Sequence, residues 1–198
     1  MIDWISDIVA GSGYPGIVFL MFVENIFPPI PSELIMPLAG FAAAKGNLSL
    51  AGVVMVGTLG SVLGALPWYY AGRAWGLGRF KQLAGRHGRW LTMGPEDVEQ
   101  ANAWFDRHRG RSVLLGRLMP TVRTLISVPA GIARMSMPAF LLFTALGTAV
   151  WTAVLAFAGY LLQGSYEKVA AIIDPLSLVV MAGIIGLYIY RLLRGKGA

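Results

Sequence analysis

The sequence predicts an all-α integral membrane protein, built as an inverted repeat of a re-entrant helical hairpin plus a transmembrane helix, with an extra C-terminal transmembrane helix. Three observations carry that expectation. Of the 198 residues, 56% are hydrophobic and only 13% charged, and the apolar runs are long enough to cross a bilayer. Between Glu24 and Gly40, four prolines (Pro28, Pro29, Pro31 and Pro37) and two carboxylates stand where an apolar helix would otherwise continue. Proline lacks an amide proton and clashes with the preceding turn, so these four cannot all lie inside one regular helix. Broken backbone is tolerated in hydrocarbon only where protein or a wet cavity surrounds it. Finally, Lys and Arg crowd into residues 73–111, which the positive-inside rule places in the cytoplasm.

Taken in order, residues 1–14 predict a short interfacial helix closed by the turn-rich Gly11-Ser-Gly-Tyr-Pro15. Asp3 and Asp7 stand where a cleaved signal peptide would be basic, so this segment is expected to be retained. Residues 16–44 predict the first re-entrant hairpin: an arm over 16–27, an irregular apex from Pro28 to Pro37, and a return arm from Leu38 to Ala44, reaching the polar turn Lys45-Gly-Asn47. About a dozen residues per arm, at about 1.5 Å each, fall short of a hydrocarbon core of about 30 Å. Residues 48–72 predict a transmembrane helix whose Gly52, Gly57, Gly60 and Gly64 allow close packing, with Trp68, Tyr69 and Tyr70 at headgroup level.

The segment 73–111 sets eight Lys or Arg against four acids. Within it, Thr92-Met-Gly-Pro-Glu-Asp-Val-Glu resembles a capped helix start leading into Val98–His108. Residues 113–135 predict the second re-entrant hairpin, broken at Pro120, followed by transmembrane helices at 138–162 and 175–193. Arg191, Arg194 and Lys196 put the C-terminus in the cytoplasm as well. Parity then requires 113–135 to enter and leave on the cytoplasmic side, and 16–44 to enter from the outer face. An offset of 91 lays Pro29 on Pro120 and Ala39-Gly40 on Ala130-Gly131. Gly57-Thr58 falls near Gly147-Thr148, and Ala71-Gly72 answers Ala158-Gly159. Inverted repeats of this kind place a site near the bilayer midplane, at the repeat interface.

Glu24 and Glu33 in the first hairpin, and Arg117 and Arg123 in the second, are the charges nearest the middle of the membrane. Each costs about 2.5–3.5 kcal/mol at a helix centre, so four unpaired charges would cost on the order of 10 kcal/mol. That is comparable to the whole stability of a domain, about 5–15 kcal/mol. They are expected to be paired, hydrated or both. One use of such pairs is to hold the two halves in register. The other is chemical: guanidinium offers a planar fork for phosphate, and buried carboxylates can take up protons. An arginine pair beside a glutamate pair could thus bind a phosphate-bearing headgroup and couple it to protons.

Glu24-x-x-x-Pro28-x-x-Pro31-Ser-Glu33 and Gly116-Arg-x-x-Pro120-x-x-Arg123, each closed by Ala-Gly, resemble the two signature motifs of the DedA family, also called SNARE-associated Golgi or VTT-domain proteins. The resemblance covers roughly residues 10–190. It implies two facing re-entrant loops, location in the bacterial inner membrane, and movement of lipids between leaflets, including undecaprenyl phosphate recycling and phospholipid flipping. Proton-dependent behaviour is also implied. It assigns the functional roles to Glu24, Glu33, Arg117 and Arg123. Family members vary at the second acidic position and in the spacing of the acids, so the resemblance does not choose the lipid.

Other classes fit less well. A net charge of +6 accompanies no nucleic-acid-binding pattern. The absence of cysteine excludes disulfides and thiolate metal sites. His87 and His108 read as solvated residues of the basic segment, so no metal or other cofactor is expected. Ser12, Ser61 and Ser127 have no nearby His or nucleophile-elbow pattern, so an enzyme is not expected. Arg134 and Lys45 read as interfacial anchors. The expected partners are membrane lipids and protons, with homo-oligomerisation left open. A proton-coupled antiporter of a small ion or drug, and a structural membrane assembly protein, are the alternatives to a lipid transporter.

Overall fold

The computed structural model describes residues 2–26, 32–91, 95–119 and 122–161. Pro28, Pro29, Pro31 and Pro120, and the helix expected at 175–193, lie outside the described residues, as do Thr92, Met93 and Gly94 of the expected capped start. Six helices follow in order: α1 (Ile2–Ile26), α2 (Ser32–Ala44), α3 (Leu50–Leu91), α4 (Pro95–Arg117), α5 (Ser127–Ile132) and α6 (Met137–Leu161). Among the described residues there are no strands.

Helix α1 is two helices joined at a kink. Gly13 sits at φ 57° and ψ −130°, a conformation that costs side-chain-bearing residues energy and glycine little. Pro15 stands two residues on, in the first turn of the second piece, where a missing amide proton does no harm. Tyr14 marks the same corner: its hydroxyl accepts from the Ser49 backbone N–H at 2.9 Å and lies 3.1 Å from Ser49 Oγ. Ser49 Oγ in turn accepts from the Gly52 amide at 3.1 Å. That is an N-terminal cap, and it explains why α3 starts at Leu50.

Three elements differ from the sequence expectation. The return arm starts at Ser32, so Pro37 lies inside α2 and not in an irregular apex. Interior prolines are tolerated in membrane helices; the carbonyl that Pro37 leaves without its amide partner is that of Glu33, one turn back, while the Pro37 carbonyl itself packs against Gly159 of α6. Helix α3 does not end at Gly72 but continues through the basic stretch to Leu91, with only Gly76, at φ 65°, in the left-handed region. The positive charges that mark a membrane boundary are carried by Arg and Lys, which are good helix formers, so they do not stop the helix. Helix α4 likewise runs past His108 to Arg117, absorbing the first residues assigned to the second hairpin. Its opening residue, Pro95, suits the first helical position.

Three described helices contain runs long and apolar enough to cross a membrane: Asp7–Ile26, Leu50–Arg79 and Met137–Leu161. Their outer faces suit lipid. On α6, Leu142, Leu146, Val150, Val154, Phe157 and Leu161 form an exposed apolar stripe, and on α3 Met55, Leu59 and Leu63 form another.

Packing is crosswise. Helix α2 seats on α6 and α5 seats on α3. A Cβ on Gly40 would collide with the Ala156 carbonyl, and one on Gly159 with the Pro37 carbonyl. In the other half, Gly131 meets the Tyr69 carbonyl and Gly72 the Val128 carbonyl in the same way. The spacings repeat: Pro37 to Val128 and Gly40 to Gly131 are both 91 residues, while Tyr69 to Ala156 and Gly72 to Gly159 are both 87. Gly60 packs on Val18 and Met21, as Gly147 packs on Leu114 and Arg117. In packing terms the counterpart of Gly147 is therefore Gly60, not Gly57. Small residues at these crossings let backbones approach closely, which is how helices associate without a hydrophobic drive between them.

Candidate functional site

Arg123 lies in the turn residues after α4 and is buried. It donates through Nη2 to Glu24 Oε1 and through Nη1 to Ser32 Oγ. Its Nη2 also stands 4.0 Å from Glu33 Oε2. Glu24 comes from the last turn of α1, while Ser32 and Glu33 come from the first turn of α2. A serine suits a helix start because its hydroxyl can serve free backbone groups there, and a carboxylate is favoured in the first turn by the helix dipole. Here the Ser32 hydroxyl accepts from the arginine.

Arg117 ends α4 and is 2% exposed, the largest fully buried side chain among the described residues. Its Nη1 donates to Asn25 Oδ1 at 3.2 Å and its Nη2 to Ser127 Oγ at 2.8 Å. Asn25 connects the two arginines, because its Nδ2 donates to Glu24 Oε2 at 3.2 Å. The backbone carbonyl of Asn25 accepts from Trp68 Nε1 at 2.8 Å, which fixes the end of α1 against α3. The structure thus gathers Glu24, Glu33, Arg117 and Arg123 from four chain positions into one cluster.

The four members are not equivalent. Glu24 and Arg123 form a buried, charge-assisted pair, of the kind that is short and strong. Glu33 has 31% of its side chain exposed and only a long contact to Arg123, making it the member that opens to the surface. Arg117 donates to neutral groups only, Asn25 and Ser127, among the hydrogen bonds described. Two arginines and two glutamates sum to no net charge. Such a cluster suits a low-dielectric interior and becomes unbalanced when any ion joins it.

Several contributors were not singled out by the sequence. Asn25 and Ser32 lie inside the quoted motif without a role, Ser127 shows in sequence only a hydroxyl without a base, and Trp68 reads as a headgroup aromatic. A neutral polar side chain next to a motif carboxylate was the one available signal. His108 is exposed on α4. Among the described residues, no three His, Cys, Asp or Glu come within reach of a common metal ion.

A helical membrane protein in which arginines from one broken segment meet carboxylates from another is the class that this fold and site define. The VTT domain matches residues 30–161, and the chain belongs to that family, the DedA proteins. It is 42% identical over 183 residues to an "Alkaline phosphatase-like protein" of Lactococcus lactis subsp. cremoris (strain MG1363), covering 92% of this chain and 86% of the relative. It is 31% identical over 193 residues to "Undecaprenyl phosphate transporter A" of Staphylococcus aureus (strain NCTC 8325 / PS 47), covering 98% and 95%. A protein of the same name in Bacillus subtilis (strain 168) is 25% identical over 181 residues, covering 91% and 85%. No solved structure matches the chain.

Proposed function

We propose that this protein is a carrier that moves a phosphate-bearing lipid, undecaprenyl phosphate or a phospholipid, between the leaflets of the bacterial inner membrane, linked to the proton gradient. The observation that carries the proposal is the buried, neutral cluster of Arg117, Arg123, Glu24 and Glu33, with one edge open at Glu33. Adding a phosphate monoanion to it leaves one uncompensated negative charge. Uptake of a proton by one of the two carboxylates, Glu24 or Glu33, removes that charge. The relatives named undecaprenyl phosphate transporter A agree with this reading. Transfer chemistry has less support: the hydroxyls of Ser32 and Ser127 accept from guanidinium groups, which do not act as a base toward them.

The deciding experiment is reconstitution in liposomes with a fluorescent phosphate-bearing lipid, followed by leaflet exchange with and without a pH gradient. Exchange accelerated by the gradient is expected. Glu24→Gln and Glu33→Gln should each flatten that response. A double Gln variant responding like the native protein would remove the proton role, and a native protein that leaves the lipid where it was would remove the transport role.

In this reading both broken segments are re-entrant and the C-terminus is cytoplasmic. The straight part of α1 after its kink, residues 14–26, spans only about 20 Å at about 1.5 Å per residue, short of a full crossing. Topology can be tested on a chain with no native cysteine. Ser112 is buried and unsuited to labelling, but Arg111 and Ser136 are exposed on either side of the second segment. Arg111→Cys and Ser136→Cys should both label from the cytoplasm; labelling from opposite faces would make that segment a crossing.

A further inference from the structure

We propose that the phosphate group is seated by Arg117 together with Thr144, Thr148 and Trp151 of α6, while Arg123 serves as the standing counter-ion of Glu24. This rests on the lipid-carrier reading and divides the labour between its two arginines.

The two guanidinium groups differ in what they already hold. Arg123 is committed to Glu24, Ser32 and, at longer range, Glu33. Arg117 is buried as deeply, yet its described hydrogen bonds end on the neutral Asn25 and Ser127, and its Nε–H has no partner. A buried cation with neutral partners and a spare donor is poised for an anion, because desolvation makes an uncompensated charge expensive.

Helix α6 supplies the rest. The stem of Arg117 lies on Gly147, where an added Cβ would come within 2.7 Å of Arg117 Cβ. At about 100° per residue, Thr144, Trp151 and Thr148 fall about 60°, 40° and 100° round the helix from Gly147. They occupy one narrow arc, turned away from the lipid-facing stripe of Leu146, Val150 and Val154. Thr144 Oγ1, Thr148 Oγ1 and Trp151 Nε1 are all buried without a hydrogen-bond partner. Buried polar groups are nearly always satisfied, so three orphans on one arc of the helix that Gly147 seats against the Arg117 stem call for an occupant. Trp Nε1–H and Arg Nε–H can only donate, and threonine hydroxyls can donate. A set of donors around a fixed cation fits the several acceptor oxygens of a phosphate.

The test is equilibrium binding by the full chain in nanodiscs, using phosphatidic acid, its phosphate-free diacylglycerol counterpart, and inorganic phosphate. Thr144→Val and Thr148→Val keep side-chain shape and remove donors; Trp151→Phe removes the indole N–H. The Thr144→Val/Thr148→Val double variant should weaken phosphatidic acid binding by about 10-fold, leave diacylglycerol binding unchanged and keep or raise Tm. Trp151→Phe should act in the same direction and provides an independent reading should the double variant fold poorly. Weakening in the inorganic phosphate arm as well would show that the group alone is recognised. Weakening in the lipid arm alone would place the source in the lipid; either supports the seat. Native affinity in folded variants overturns it while leaving the carrier reading intact, since water would then be the occupant. A native protein that fails to distinguish phosphatidic acid from diacylglycerol overturns both.

Discussion

Arg123→Ala is expected to destabilise the folded protein by about 3–5 kcal/mol, the range for stripping one partner from a buried ion pair. The reason lies in Glu24, which is only 2% exposed and keeps a single neutral donor, Asn25, once the guanidinium is gone. The Ser32 hydroxyl loses its partner in the same step. Adding Glu24→Gln should recover most of the loss, because the buried carboxylate left without its guanidinium is then replaced by a neutral amide. Glu33→Gln should change stability little, since that side chain is partly solvated and 4.0 Å from the arginine. Thermal or denaturant unfolding in detergent would measure all four proteins. An Arg123→Ala variant as stable as the native chain would mean that Glu24 finds another partner and that the pair does not anchor the cluster.

The second large effect is expected at the crosswise contacts. Gly131→Ala and Gly159→Ala each put a methyl group onto a backbone carbonyl oxygen, of Tyr69 and Pro37 respectively. A backbone oxygen cannot swing aside as a side chain can, so the helices must separate. Overpacking typically costs about 1–3 kcal/mol, and a rigid obstacle favours the upper end or beyond. Gly11→Ala is the control, since an added Cβ there meets open space and alanine is the better helix former. Gly131→Ala melting at the same temperature as Gly11→Ala would show that the α5–α3 contact yields easily. Loss of leaflet exchange is expected to accompany the loss of stability, because α5 carries the Ser127 that receives Arg117.

The charged members of the site were legible because charge in an apolar stretch is costly, and the cost is visible in sequence. Glu24, Glu33, Arg117 and Arg123 each carry that signal. Asn25 and Ser127 do not: a neutral amide or hydroxyl is unremarkable until its partners are known, and theirs lie 92 and 10 residues away. The kink at Gly13 falls within a stretch whose glycines and proline marked a turn, since backbone permissiveness is a local property. The run of α3 beyond Gly72 was hidden for the opposite reason. Hydropathy reports where a helix leaves hydrocarbon, whereas the helix itself ends where capping and propensity decide. The match of Ala39-Gly40 with Ala130-Gly131 is visible in sequence, but the pairing of Gly60 with Gly147 depends on which neighbours they touch and needs coordinates.

The crosswise seating of α2 and α5 also bears on how the chain is made. Helix α2 leaves the ribosome well before the helix it will rest on: the 117 residues from 45 through 161 still have to be translated. At about 5–20 residues per second, that takes roughly 6–23 s. Throughout that interval Gly40 has no α6 to meet, and Glu24 has no guanidinium until Arg117 and Arg123 are made. The first half therefore waits, incomplete in both packing and charge, and the order of synthesis makes arrival of the second half the step that finishes the first.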